Sequence, residues 1–217
     1  MRLSPGAFNR HIAHMGQDVA WRKAYACPCR NPNSLASDPR CPNCSGKGYI
    51  WNAAEPGVVG ITGTKTQRDW AQFGLFESGD TVITIPENSP VYEMGQFDRL
   101  TLLNATEQFS IPLSRGGPTE RLIGKVQKVT RVFWLNQQKQ IVEGGIPVVE
   151  ASGALTWADG APPAGTQFTI SGTRFLEYYC FGAFPSNRNM HQGARLPKLV
   201  VLRRYDLLGR SSPSGSG

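Results

Sequence analysis

The sequence predicts a mainly β protein: a β-barrel or β-sandwich domain preceded by a short N-terminal helix and a small cysteine-rich loop module. Between residues 56 and 206, nearly every apolar segment is short and rich in Val, Ile, Thr and aromatic residues, which is typical of strands. Gly, Pro, Asn and Asp separate these segments, and the 217 residues include 24 Gly and 16 Pro. Apart from a weak helical pattern over 68–76, this region lacks sustained helical periodicity. These features favour an all-β barrel or sandwich.

The N-terminal segment predicts a short helix. Pro5 suits the first helical position, because its missing N–H has no partner there in any case. Phe8, Ile12 and Met15 then recur on one helical face, and Gly16 is a suitable residue to end the helix. We therefore expect an amphipathic helix that packs one apolar face on the rest of the chain.

The remaining chain divides into the cysteine module, a large β domain and a tail. Residues 1–52 hold the helix and the cysteine loop, which lies between extended segments at 18–26 and 49–51. Residues 53–208 form the β domain, and the Ser/Gly-rich residues 209–217 are expected to be a flexible tail. The candidate strands of the β domain are 57–66, 81–85, 99–103, 107–112, 121–135, 140–143, 154–157, 167–170, 173–181 and 198–205.

The charge of the chain is basic and unevenly distributed. The net charge is +7, and residues 1–55 and 151–217 each carry seven Lys and Arg against three Asp and Glu. Such ends suit contact with nucleic acid or an acidic protein, although solubility and a few ion pairs are the simpler explanation. No apolar run is long enough for a membrane span, and the N-terminus lacks the apolar stretch of a secretory signal. We expect a protein made in a reducing cytoplasm.

Four of the five cysteines lie within eighteen residues, in the pattern C-x-C, eleven residues, C-x-x-C. In a reducing compartment, two closely spaced cysteine pairs favour a metal site over disulfides. Four thiolates at this spacing are typical of tetrahedral zinc. The predicted zinc ligands are Cys27, Cys29, Cys41 and Cys44. Because C-x-C is tighter than the usual pair, His11 or His14 remains an alternative for one ligand.

The predicted zinc has a structural role. Catalytic zinc keeps an open position and usually has His or carboxylate ligands, whereas four thiolates close the coordination shell. Gly46 and Gly48 can adopt positive φ, which would let backbone N–H groups turn toward the sulfurs and stabilise their charge. A redox C-x-x-C usually opens a helix, but here glycines and a strand follow. We expect a closed zinc site that holds the loop module to the β domain.

The sequence contains no recognisable catalytic constellation. It lacks G-x-S-x-G, the Walker pattern and E-x-x-H, and its acidic residues are dispersed. Cys180 lies in an apolar segment and is expected to be a buried small hydrophobe. We therefore predict that the protein is not an enzyme and has no catalytic residues.

Four arginines are candidates for contact with a partner or with DNA. Arg188 and Arg195 lie in the polar segment 185–197, which is either a functional loop or a partner-binding arm. Arg203 and Arg204 precede Tyr205, and basic groups beside an aromatic ring on a β surface can stack nucleic-acid bases. An ordinary strand with one solvated face has the same composition.

The order of segments along the chain resembles structural proteins from the neck of tailed bacteriophages. The resemblance covers most of residues 8–208 and is carried by GQDVAWRKAYACPCR, DPRCPNCSGKGYIW, GLFESGDTVITIP, VYEMGQFDRLTLLNATEQFS, GALTWADGAPPAGTQFTISGTRFLEYY and LPKLVVLRRYDLLGR. It implies a protein of the virion, located at the junction of head and tail after assembly in the host cytoplasm.

The resemblance also implies a homo-oligomeric ring, sixfold or twelvefold, attached to portal, tail or other neck proteins, with DNA passing through its lumen. Such a ring would serve as a connector or head-closure protein. The alternative is a cytoplasmic zinc-ribbon protein that binds nucleic acid. That alternative predicts tight binding that weakens steeply with salt. The lack of a dense Lys/Arg run near the cysteines counts against it.

Overall fold

The computed structural model describes residues 5–62, 64–72, 77–117, 120–184, 190–191 and 193–208. The helices are α1 (Pro5–Met15) and α2 (Thr64–Ala71), with short 3-10 turns at Pro90–Glu93 and Tyr205–Leu207. The strands are β1 (Gln17–Arg22), β2 (Ala24–Ala26), β3 (Tyr49–Trp51), β4 (Glu55–Ile61), β5 (Thr81–Ile85), β6 (Arg99–Ser114), β7 (Val126–Leu135), β8 (Ile141–Glu143), β9 (Val148–Val149), β10 (Leu155–Thr156), β11 (Gln167–Ala183), β12 (Met190–His191), β13 (Ala194–Arg195) and β14 (Lys198–Arg204). The predicted mainly β fold is confirmed. No described helix is long and apolar enough to cross a membrane.

The chain forms two compact units. Unit 1 comprises residues 1–104 and 177–217, and unit 2 comprises residues 105–176. The long strands β6 and β11 contribute residues to both. The sequence-based division at residue 52 stays a prediction, and β1 of the predicted N-terminal module pairs with β4 and β6. The predicted tail at 209–217 lies outside the described residues.

Unit 1 is a closed antiparallel barrel. The strands hydrogen-bond in the order β6, β1, β4, β5, β14 and β11, and β11 returns to β6. At the point of closure, the Phe97 N–H donates to the Cys180 carbonyl and the Cys180 N–H donates to the Asp98 carbonyl, each at 2.8 Å. Closure removes the free sheet edges that an open sheet would expose.

Alternating side chains fill the barrel. Val200 and Leu202 of β14 are fully buried on one face, while Val201 packs on the opposite face with Trp70 of α2 and Val82. Burial on both faces explains why β14 is a continuous apolar run. Other fully buried barrel residues include Val19, Val59, Ile83, Ile85 and Leu100.

Unit 2 packs a sheet against a small ribbon. The sheet contains residues of β6 and β11 together with β7 and β8, and the ribbon is the pair β9–β10. The core between them consists of Phe109, Leu122, Val129, Val132, Phe168 and Ile170, with Val149, Leu155 and Trp157 packed against it. Trp157 meets the ring of Phe168 edge-on at 5.7 Å between centroids.

Two sequence-based element predictions need correction. The predicted strand 57–66 ends at Ile61 and α2 begins at Thr64, earlier than the weak helical pattern at 68–76. This short helix is held by tertiary packing, since Trp70 is buried against Phe184, Val82 and Val201. The predicted α1 is confirmed and packs through Ile12, but Met15 of its predicted apolar face is 71% exposed.

Glu120 links three segments of unit 2. It accepts hydrogen bonds from Arg115 Nη1 at 2.9 Å, the Gly116 N–H at 2.6 Å and Trp157 Nε1 at 3.3 Å. Burial raises the pKa of the Glu120 carboxyl. The hydrogen bonds from the Gly116 N–H, Arg115 and Trp157 have the larger combined effect, so this pKa lies below its ordinary value. Its ionised form is therefore favoured in the folded state.

Glu120 should make unit 2 sensitive to acid. Because its folded pKa is depressed, its contribution to stability is present above the ordinary carboxyl pKa and is lost as pH falls through the folded pKa. We expect Glu120→Gln to lower the denaturation midpoint at neutral pH and to differ little from wild type in strong acid. Asp159→Asn, at an exposed carboxyl of the same unit, is the matched control. A pH-independent loss in Glu120→Gln would contradict the assignment.

Candidate metal centre

The four-cysteine loop closes a two-stranded ribbon in unit 1. Strands β2 and β3 pair in the register Ala24↔Trp51 and Ala26↔Tyr49, and the loop lies between them. The Cys27 N–H donates to the Gly48 carbonyl at 2.9 Å, which closes the base of the loop. The ends of the loop are therefore fixed by backbone hydrogen bonds independently of any metal.

The structure brings the four predicted sulfurs together. All four Sγ atoms lie within 4.8 Å of one another, with Cys27–Cys41 at 3.8 Å and Cys29–Cys44 at 3.5 Å. A tetrahedron with zinc–sulfur bonds of about 2.3 Å has sulfur–sulfur edges of about 3.8 Å. A disulfide would need about 2.05 Å, and all four thiols are free. The geometry fits one tetrahedral metal ion.

Backbone N–H groups point at the Cys41 sulfur. The hydrogen bond from the Cys44 N–H has the largest effect on the pKa of the Cys41 thiol and lowers it. Burial raises this pKa, and the Asn43 N–H lowers it further. The net result is a pKa of about 7. A turn that directs successive N–H groups at one sulfur stabilises thiolate charge, which is the form that binds metal. The C-P-N-C half of the loop therefore stabilises its first cysteine, Cys41, in the thiolate form needed for coordination.

The C-x-C half is organised differently. Burial raises the pKa of the Cys29 thiol to about 12, against one hydrogen bond from the Asp38 N–H. The Cys29 N–H lowers the pKa of the Cys27 thiol, but burial and the thiols of Cys41 and Cys44 raise it overall. Three of the four cysteines are less than 7% exposed, whereas Cys29 is half-buried. Without a cation, these packed thiols favour the neutral form, so their ionisation is expected to accompany metal binding.

The two glycines after the second pair allow a tight approach of the loop. Gly46 has φ +80° and Gly48 has φ +76°, the region that glycine adopts most readily. A Cβ at Gly46 would lie 3.2 Å from Pro39, and one at Gly48 would lie 3.2 Å from the Cβ of Ser37. Ser37 Oγ donates to the Gly46 carbonyl at 2.6 Å. The positive φ of both glycines and these close contacts let the loop close tightly around the cysteines.

Histidine is not among the residues that converge. Within the described part of the chain, the metal-compatible group consists of the four cysteines alone. His11 and His14 lie exposed on α1. Cys180 is buried in the barrel, where burial raises its thiol pKa to about 12. The four-cysteine set is therefore the one supported by geometry.

Aromatic rings join the module to the barrel. Tyr49 stacks on Phe97 at 4.2 Å between centroids, and Trp51 meets Tyr205 edge-on at 5.6 Å. Trp51 Nε1 also donates to the Phe97 carbonyl at 3.0 Å. Arg30, next to the first cysteine pair, donates to the Tyr49 hydroxyl at 3.0 Å. The loop is therefore anchored on one side of an aromatic cluster.

Lys47 was not singled out from the sequence, yet it connects the cysteine turn to the end of the barrel. Its Nζ donates to the Leu208 carbonyl at 3.0 Å and lies 4.8 Å from the centroid of the Tyr205 ring. A lysine beside a C-x-x-C turn carries no sequence signal for a partner more than 160 residues away. Lys47 reaches Leu208 and Tyr205 only because the chain that follows β14 passes beside the cysteine turn.

The four candidate contact arginines have different environments. Arg203 donates to both carboxylate oxygens of the fully buried Asp80, at 3.0 and 2.9 Å, and lies over Phe181. Arg204 approaches Asp206 at 3.6 Å and is about one-fifth exposed. Arg195 is 60% exposed near Glu93. Arg188 lies outside the described residues. Partner or DNA contact by these residues stays a prediction, and Arg203 has an internal partner.

The fold and the site together define a closed β-barrel protein with a four-cysteine cluster arranged to bind a metal ion. No protein-family model matches the chain, and no curated protein is similar to it.

Proposed function

We propose that the chain is a structural protein of the neck of a tailed-bacteriophage virion, forming a ring between portal and tail through which DNA passes. The observation that carries this proposal is the resemblance across residues 8–208 described above. The segments that carry it include barrel strands β5, β6, β11 and β14.

The use of buried ionisable groups supports a structural role. Asp98 accepts from Trp21 Nε1, Lys23 Nζ and the N–H groups of Ala24 and Gly95. Asp80 accepts from Trp70 Nε1, the Glu77 N–H and Arg203. Glu177 accepts hydrogen bonds from Arg99 Nη2 on both of its carboxylate oxygens and from the Thr101 hydroxyl on one of them. Each of these carboxylates ties neighbouring segments of unit 1 together.

We also propose that the metal is zinc and that its role is structural. The supporting observation is the closed set of four sulfurs, which leaves no coordination position for substrate or water. Sulfur ligands in a tetrahedron favour zinc among the common divalent ions that lack redox chemistry. The zinc would fix the cysteine loop, which is anchored to the barrel by the aromatic cluster of Trp51, Phe97 and Tyr205.

Electron microscopy of the purified protein, together with a pull-down on purified portal and tail, tests the neck assignment. We expect closed rings, sixfold or twelvefold, or ring formation on the portal. A chain that stays monomeric and joins neither portal nor tail would overturn the proposal. If that monomer bound DNA or RNA tightly with a steep dependence on salt, the zinc-ribbon alternative would replace it.

A further inference from the structure

Unit 2 exposes two groups of large apolar side chains. Leu135 and Ile141 are 56% and 57% exposed, and Ile146 and Val148 are 52% and 63% exposed. These four residues lie within a stretch of fourteen residues that runs from β7 through β8 to β9. Exposed large apolar groups clustered in this way mark an interaction surface more often than scattered ones do.

The first group lies on the side of the sheet that faces away from the core. In β7, Val132 is buried in the core of unit 2 and Trp134 packs against that core. Because successive side chains of a strand point to opposite faces, Phe133 and Leu135 point away from it. Ile141 is the cross-strand partner of Leu135 and shares its face. We call Phe133, Leu135 and Ile141 the front patch.

The second group lies on the outer side of the ribbon. Val149 and its partner Leu155 pack against the core, so Val148 and its partner Thr156 face away from it. Pro147 is buried between the exposed Ile146 and Val148, which places both on the same outer side. We call Ile146 and Val148 the back patch. Since the core lies between sheet and ribbon, the two patches face in opposite directions.

Charges of opposite sign border the two patches. Arg131 lies 4.6 Å from the centroid of the Phe133 ring, so it borders the front patch. Glu150 accepts from the outward-facing Thr156 hydroxyl at 3.1 Å, so it borders the back patch. Arg131 already pairs with Glu143, but both side chains are more than half exposed, and such a pair contributes little. An acidic neighbour could therefore share or replace Glu143 at small cost.

We infer that the front patch of one copy binds the back patch of the next copy, with Arg131 facing Glu150 across the contact. The inference rests on the proposed ring and names the surfaces that build it. Two unlike patches on opposite faces suit a head-to-tail contact, which closes into a ring when its rotation permits. A two-fold contact would cover only one patch on each copy. The short β8 edge lies beside the front patch and adds backbone groups to the same contact.

Paired charge variants test the head-to-tail geometry. We expect Leu135→Lys/Ile141→Lys and Val148→Lys/Ile146→Lys each to weaken self-association by at least about tenfold, because an unpaired ammonium group is costly to bury in a contact. Each variant keeps one intact patch. Mixing the two should therefore give heterodimers that grow no further, measured by native mass spectrometry.

Gln108→Lys places the same charge on an exposed position of unit 2, on a strand separated from β7 by β11, and should leave assembly unchanged. Thermal unfolding checks that all variants fold. If wild type forms rings and either double variant assembles equally well, or the mixture stays monomeric, the inference is wrong while the neck assignment stands. If wild type neither self-associates nor assembles on portal or tail, both fail together.

Discussion

The double variant Cys41→Ser/Cys44→Ser is expected to lose its metal and to leave the loop between β2 and β3 unfolded. Wild type should hold about one zinc per chain, and the variant close to none, since two ligands cannot retain a tetrahedral ion at structural affinity. In wild type the proposed metal would take the place of a local core, because the loop's buried apolar cluster consists of the cysteines themselves. Elemental analysis and protease cleavage between Cys27 and Gly48 measure the two effects.

Cys180→Ser is the matched control, because it removes a buried thiol that lies outside the cluster. It should keep full metal content and a protected loop. Treating wild type with a strong chelator should reproduce the loop cleavage seen in the double variant. Equal metal content in wild type and the double variant would refute the metal site, and iron instead of zinc would correct its identity.

The substitution Asp98→Ala is expected to lower the free energy of unfolding by about 3–5 kcal/mol. Three N–H groups lose their acceptor in this variant, one from a buried and two from partly buried hydrogen bonds, and leaving a buried donor unsatisfied costs about 1–3 kcal/mol. They belong to Trp21, Ala24 and Gly95, at 3.0, 2.8 and 2.9 Å from the carboxylate. Lys23 also loses its ion-pair partner, but its side chain is 36% exposed, so water can hydrogen-bond to its ammonium group instead. Equilibrium chemical denaturation gives the magnitude.

Asp98→Asn should cost less than the alanine variant, since the amide keeps one acceptor oxygen for these donors. Asp18→Ala, at an exposed position on β1, should change stability by no more than about 0.5 kcal/mol. If Asp98→Ala were as mild as Asp18→Ala, the four hydrogen bonds would not hold this end of the barrel together.

Much of the cysteine site could be predicted from the sequence because its signal is local. Cys41 and Cys44 lie in one turn, and the spacing of Cys27 and Cys29 brings a second pair within reach. The short helix α1 was equally local, since Pro5 and Ile12 mark its start and its buried face. What the spacing could not give is the direction of the N–H groups, which depends on the fold of the whole turn.

The second helix and the length of the long strands could not be predicted locally. The segment of α2 has weak helical character, and it is helical because Trp70 packs into a pocket made by Val82, Phe184 and Val201. The sequence on either side of Asn104 predicted two strands, 99–103 and 107–112, whereas the structure has one continuous strand, β6 (Arg99–Ser114). In both cases contacts with distant residues outweigh the local propensity.

By itself, the sequence determined the β character of the chain and the thiol chemistry of its loop, since composition and short spacings fix both. The tertiary structure decided the closure of the barrel, because β11 meets β6 and β14 only after the chain has folded. It also gave Arg203 its partner Asp80, 123 residues away, through the pairing of β14 with β5. And it left Leu135 and Val148 exposed while their neighbours Trp134 and Val149 pack against the core, because strand pairing chooses which face is covered.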